Sequence, residues 1–291
     1  MKFQVYNSFT EKPFAGNPAG VVMDFDKDLS DQNMQNIAKQ LNLVETIFVH
    51  RSDEYDFEFR YFTPHKELPM AGHPTLAALC ALRDSEVILK SAASDVVIET
   101  KGGLIRSYVE DDKVYLSQKS PEFFEVNQSH KDKISEVFKV DTNEISDLPI
   151  ASVNAGLGHF IFATKTLEGL MSLSFDVDTL RSFCKDVKAS EAQIFCLETY
   201  EAENDLHTRN LCPRLGMEDP ACGNGTAALM GYFARYISPE KETIEMRTEH
   251  GFCVDRPSII EGKSIKPSSD QIDVWVGGKA VLMLEGHFNG F

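Results

Sequence analysis

No stretch of the chain approaches the roughly 18 consecutive uncharged apolar residues that a membrane-spanning helix needs. The opening MKFQVYNSFTEKPFAG carries no long apolar run behind Lys2, so the expectation is a soluble, unexported, cytoplasmic protein. Positive charge is scarce: 29 Lys and Arg against 45 Asp and Glu leave a formal net charge of -16. A field of that sign repels phosphate backbones and anionic lipids, which argues against nucleic acid and membrane partners. A small anionic substrate then needs a locally positive pocket. Cysteine is sparse, with six residues in 291 and no CxxC pair, so reduced thiols fit better than a disulfide framework. The eight histidines show no clustered ligand spacing, and no metal is expected. The sequence contains no GxGxxG, Walker, HExxH or GxSxG signature, and nothing in it demands a cofactor.

What is present is ordinary globular composition, 42% hydrophobic and 25% charged, which is enough to bury a core. At about 150 residues per domain the length suggests two domains. A duplication supports this. Ser30 is a plausible N-cap for a helix with Met34, Ile37, Ala38 and Leu41 at helical spacing, which Asn42 can end. Leu180, Phe183, Cys184 and Val187 repeat that spacing 146 residues later. Four residues beyond each run stands a glutamate, Glu45 and Glu191, opening strand-like segments. R60-Y-F-T-P is echoed by R209-N-L-C-P, and A71-G-H-P-T-L-A-A-L by C222-G-N-G-T-A-A-L, where Gly72 and Gly223 lie 151 residues apart.

From Ala71 to Leu82 and from Pro220 to Ala234 there is no charged residue (Asp, Glu, Lys or Arg), so helices near 73–83 and 223–236 read as buried on every face. Short strand candidates surround them, among them F57-E-F-R-Y-F, V96-V-I-E-T, K113-V-Y-L, H159-F-I-F-A, T243-I-E-M-R and V274-W-V. An α+β architecture follows, with two pseudo-symmetric domains, each a curled sheet around a central helix. The boundary is placed in K119-S-P-E, giving domains 1–120 and 121–291, with the last residues free to pack back on the first. An active site is expected in the cleft between the halves.

Helix N-termini carry unpaired N–H groups and partial positive charge, so Gly72 and Gly223, lacking a Cβ, suit close approach of a carboxylate. Glu45, between Val44 and an apolar run, is a candidate acid/base whose pKa partial burial would raise; a solvated strand edge is the competing role. His73 could donate to a substrate or simply satisfy a helix start. Asp219 precedes Pro220, an ordinary turn dipeptide, but stands close to Cys222 and Gly223. For Cys222 the helix dipole would lower the thiol pKa and apolar neighbours would raise it.

In order and over the whole chain, G16-N-P-A-G-V-V, L43-V-E-T-I-F-V, R60-Y-F-T-P-H-K-E-L-P-M-A-G-H-P-T and E218-D-P-A-C-G-N-G resemble the phenazine-biosynthesis PhzF-like isomerase family. The resemblance implies a diaminopimelate-epimerase-like fold, a homodimer and cofactor-free acid/base catalysis. It implies proton transfer by Glu45, substrate orientation by His73 and Asp219, and substrate contacts at Asn17, Gly72, Cys222, Gly223 and Asn224, the substrate being a small anionic carboxylate. The family motif E-D-P-A-T-G-S has Thr and Ser where this chain has Cys222 and Asn224, so the phenazine substrate does not transfer directly. Related racemases place a cysteine before each paired glycine. Here the first position is Ala71, which excludes an unmodified two-thiol mechanism and leaves a mixed Glu45 and Cys222 racemase, with Glu191 as a weaker second base. A non-catalytic binding protein of the same fold is a third expectation.

Overall fold

The computed structural model describes residues 1–88, 95–110, 112–268 and 271–289. Two units emerge, Met1–Ser117 with Gly277–Phe291, and Gln118–Val276. The division expected after residue 120 lies three residues beyond this break, and the closing segment groups with the first unit.

In the first unit Ser30 starts helix α1 (Asp31–Leu41), its hydroxyl accepting from Asn33 N–H at 3.3 Å. Asn42 ends it in the left-handed conformation, φ 52°, and its N–H donates to the Ala38 carbonyl at 3.1 Å. Strands β1 (Lys2–Ser8), β2 (Asn17–Met23), β3 (Glu45–Arg51), β4 (Phe57–Phe62), β5 (Glu67–Leu68), β6 (Val96–Thr100), β7 (Gly103–Glu110) and β8 (Lys113–Ser117) form the sheet. Among the described residues two pairings within it are parallel, β2 with β3 and β4 with β6. A tight turn cannot join parallel neighbours, so α1 supplies the first crossover and helix α2 (Gly72–Asp84) the second. The stripe Met34, Ile37 and Ala38 packs on Val22, Phe48 and Phe62. Helix α2 is buried from His73 to Leu82, against β1, β2, β3 and β8; its alanines let the backbones approach closely.

The second unit begins with β9 (Glu122–Phe124) and two short helices, α3 (Gln128–Lys131) and α4 (Ile134–Phe138). Strands β10 (Ala151–Asn154) and β11 (Gly158–Ala163) follow, then helices α5 (Leu167–Ser172) and α6 (Val177–Asp186). Next come β12 (Glu191–Cys196), β13 (Leu206–Cys212), β14 (Met217–Asp219), α7 (Gly223–Tyr232), β15 (Thr243–His250), β16 (Ser258–Ser268) and β17 (Gln271–Gly278), which runs across the break. The pairing plan of the first unit recurs: β11–β12 and β13–β15 are parallel, while β10–β11, β12–β13 and β13–β14 are antiparallel. Leu180, Phe183, Cys184 and Val187 bury against Phe160, Phe162, Ile194 and Leu211. Thus the repeated apolar spacing read from the sequence is one crossover helix on the outer face of each sheet.

The last strand, β18 (Ala280–His287), pairs antiparallel along β1, which is why the C-terminal segment belongs with the first unit. Helix α7 is shorter than the expected 223–236. After Tyr232 the backbone widens, and Ser238 N–H reaches Phe233 O at 2.9 Å, five residues back. The widened turn accompanies two consecutive rings, Tyr232 and Phe233, that both pack on Phe195.

The echoed arginines now have a reason. Arg60 forks onto Glu67 at 2.8 and 3.0 Å, and Arg209 onto Glu218 at 2.8 and 3.2 Å, each pair clamping the β-hairpin that leads into a central helix. Arg209 also donates to the carbonyls of Leu170 and Leu173 at the end of α5. Arg60 instead reaches Asp31 in the first turn of α1.

Candidate active site

Glu45 is the first residue of β3, paired in register with Ala19 of the parallel strand β2. His73 lies in the first turn of α2, and its Nδ1 stands 3.5 Å from Glu45 Oε2. Their side chains are 15% and 10% exposed, so both are largely removed from water without being sealed. Burial lowers the His73 pKa to about 4, against a weaker opposing bond from the Pro18 backbone, so the ring is neutral at neutral pH. Its Nε2 is buried and has no hydrogen-bond partner among the described residues.

The helix start is held by hydroxyls. Thr75 donates to Ala71 O at 2.6 Å and lies 2.7 Å from the Tyr61 hydroxyl, while Ser8 donates to His73 O at 2.7 Å. Asn17, buried at the start of β2, is the ladder partner of Ser8. A Cβ built on Gly72 would meet nothing within 4 Å, so packing does not require glycine there and the backbone is approachable. Glu45, His73, Gly72 and Asn17 therefore belong to one neighbourhood of the first unit.

The second unit gathers a different set. Glu191, first residue of β12, pairs in register with His159 of β11, and His159 Nε2 lies 3.4 Å from Glu191 Oε2. Glu191 Oε1 accepts from Cys212 Sγ at 3.0 Å and from Arg214 at 2.9 Å. Burial pushes the Glu191 carboxyl up, but His159, Cys212 and Arg214 together outweigh it and bring it down to about 2. A carboxylate so held is a poor base, which weakens Glu191 as a second proton acceptor.

Cys222 is the N-cap of α7. Its sulfur accepts from Gly225 N–H at 3.3 Å and stands 3.7 Å from His159 Nε2 and 3.8 Å from Glu191 Oε2. The two opposed influences read from the sequence resolve here: burial, with Glu191 and Asp219 adding to it, pushes the thiol well above its ordinary value. Asp219 ends β14 and accepts from Ala221 N–H at 2.9 Å; burial, reinforced by the Glu191 carboxylate, raises its carboxyl to about 6. Gly223 and Asn224 form the first turn of α7 and remain partly exposed. Gly156 makes room beside Asn224, since a Cβ there would lie 3.3 Å from Asn224 Oδ1.

Sequence reasoning missed His159, Cys212 and Arg214. The duplication offered no signal for them, because the corresponding positions of the first half are Ala19, Thr63 and His65. Absent ligand spacing likewise concealed that His159, Glu191 and Cys222 bring donor atoms within 4.8 Å of one another.

Comparison with known proteins agrees with this architecture. A family profile described as phenazine biosynthesis-like protein, PhzC-PhzF, matches residues 6–286. An uncharacterized isomerase of Clostridium acetobutylicum is 29% identical, with 98% of this chain and 97% of that protein covered. The crystal structure of a PhzF-family phenazine biosynthesis protein of Bacillus anthracis superposes with a TM-score of 0.88 at 26% identity, over 98% of each chain. A probable proline racemase of Agrobacterium radiobacter shares the fold at a TM-score of 0.61 and 13% identity, covering 100% of this chain and 93% of that one. With each half built as a curled sheet around a buried helix and the profile spanning nearly the whole chain, this protein belongs to the PhzC-PhzF family and is an isomerase.

Proposed function

We propose that the enzyme moves a proton within a small carboxylate-bearing molecule without a cofactor: Glu45 takes an activated C–H proton and returns it to another carbon of the same molecule. The observation that carries this reading is the Glu45 and His73 pair. His73 is neutral at neutral pH, so it neither protonates nor permanently neutralises the carboxylate beside it. Its unpartnered Nε2 is a hydrogen-bonding group that a substrate can satisfy, which offsets a buried-orphan cost of about 1–3 kcal/mol. Backbone N–H groups at Gly72, Gly223 and Asn224 take the role of carboxylate binding, with Asn17 and Cys222 as further substrate contacts. Asp219, its carboxyl held up near 6, donates a hydrogen bond when protonated and orients the substrate.

The test is proton exchange by NMR in deuterated water over amino acids, hydroxyproline and dihydro-hydroxyanthranilate, with wild type, Glu45→Gln and Cys222→Ala. Exchange lost in Glu45→Gln and kept in Cys222→Ala supports the single-carboxylate isomerase. Undiminished exchange in folded Glu45→Gln removes Glu45 from the mechanism. A second reading, a racemase with Glu45 as acceptor and Cys222 as donor, draws on the protonated thiol. It requires loss of inversion at one carbon in both variants.

A further inference from the structure

Helix α7 and strands β11 and β12 direct three donor atoms of different chemistry to one point. His159 Nε2 and Glu191 Oε2 are 3.4 Å apart, Cys222 Sγ and His159 Nε2 3.7 Å, and Cys222 Sγ and Glu191 Oε2 3.8 Å. Zinc bound tetrahedrally, with about 2.0–2.1 Å to N and O and about 2.3 Å to S, sets ligand separations of about 3.4 Å for N to O and about 3.6 Å for S to either. The three observed edges match one face of that tetrahedron to within about 0.2 Å.

The surrounding bonds are those a metal site uses. His159 Nδ1 lies 2.9 Å from the Leu157 carbonyl, an acceptor, so Nδ1 carries a proton and Nε2 is the ring nitrogen that faces the cluster. Glu191 has its Oε1 occupied by Cys212 and Arg214, which leaves Oε2 to face His159 and Cys222. His159 is fully buried and the Glu191 side chain only 2% exposed, while Arg214, half exposed, reaches Glu191 from the surface.

We propose that His159, Glu191 and Cys222 form a binding site for one zinc-class divalent cation, coordinated by imidazole nitrogen, carboxylate oxygen and thiolate sulfur, with water at the fourth position. On binding, the Cys222 S–H bond breaks, its proton leaves to solvent and the sulfur's electron pair is donated to the metal. No electron is transferred. One anionic carboxylate and one thiolate balance the two positive charges of the ion. The inference is independent of the role assigned to Glu45.

Reduced, chelator-stripped protein is loaded with Zn2+ or Co2+, desalted and assayed for bound metal, and the Co2+ form is read by absorption. One equivalent per chain is expected, with a sulfur-to-cobalt charge-transfer band in the near ultraviolet, tetrahedral visible bands and release of one thiol proton per ion. Cys222→Ser retains an N-cap acceptor for Gly225 and should fold, yet it should lose the charge-transfer band. His159→Gln should lower Zn2+ affinity at least about tenfold, and Arg214→Gln, which leaves all three ligands in place, about 10–100-fold. Cys253→Ser, outside the cluster, should bind as wild type does. No retained metal in folded wild type would overturn the proposal and leave a hydrogen-bonded thiol and imidazole cluster. So would a charge-transfer band that survives in Cys222→Ser.

Discussion

The two units share a pairing plan and differ in what stands at equivalent positions of it. At the start of the third strand of each plan is a glutamate. Glu45 is flanked in register by Ala19 and Glu191 by His159; the residue before the central helix is Ala71 in one unit and Cys222 in the other. The second turn residue of that helix is His73 in the first unit and Asn224 in the second. Glu191 is consequently buried, ion-paired to Arg214 and held low, whereas Glu45 retains 15% side-chain exposure beside a neutral imidazole. One scaffold position thus becomes a fixed anion in one half and a candidate proton carrier in the other. The neighbours decide this, because they set desolvation and charge around an identical carboxyl.

The largest expected effect sharpens that contrast. Glu45→Gln should lower the exchange rate about 10²–10⁴-fold with the thermal transition unchanged, while Glu191→Gln should act first on stability, leaving Cys212, Arg214 and His159 without their common anion. If Glu191→Gln abolishes exchange in a fully stable protein, the contrast between the two glutamates fails.

Next are the paired arginines. Arg209 and Glu218 are both buried, so Arg209→Ala leaves a buried carboxylate and the carbonyls of α5 unsatisfied, at about 3–5 kcal/mol by urea denaturation. Arg60→Ala, at a site open to water through an exposed Asp31, should cost about 1.5–3 kcal/mol. Equal losses would mean that burial does not separate the two clamps.

The smallest effect is a pH dependence. Asp219, corresponding to Leu68 in the first unit, has its carboxyl raised to about 6 from an unfolded value of about 4. The native protein then holds this proton more tightly than the unfolded chain does. The Asp219 contribution to stability therefore falls as pH rises from about 4 to about 6. The His73 pKa, lowered to about 4, works in the opposite direction, losing stability as pH falls through the same interval. Melting temperatures of wild type and Asp219→Asn, compared across that range, isolate the Asp219 part: the variant should gain relative stability toward pH 6, and parallel profiles would contradict the raised pKa.

Much of the fold was legible because burial leaves a direct trace in composition and period. Charge-free runs marked α2 and α7, and the Met34 to Leu41 and Leu180 to Val187 stripes marked the outer crossover helices. The recurrence of Arg60 and Arg209 was visible too, but its meaning was not, since their partners Glu67 and Glu218 are met only across a hairpin. In the same way Glu45 and His73 stood out by motif, while their 3.5 Å approach depends on how β3 and α2 pack.

By itself the sequence determined the duplication, the two central helices, their enclosing strands and the family, all properties carried by local periodicity and by motifs in chain order. Only the tertiary structure decided that His159, Glu191 and Cys222 converge and that Cys212 and Arg214 hold the glutamate between them. The physical reason is that a strand's neighbour is set by parallel register and by where a helix begins. Residues 63 positions apart in the chain, such as His159 and Cys222, acquire their 3.7 Å separation from β11, β12 and the N-cap of α7, not from any spacing the linear sequence displays.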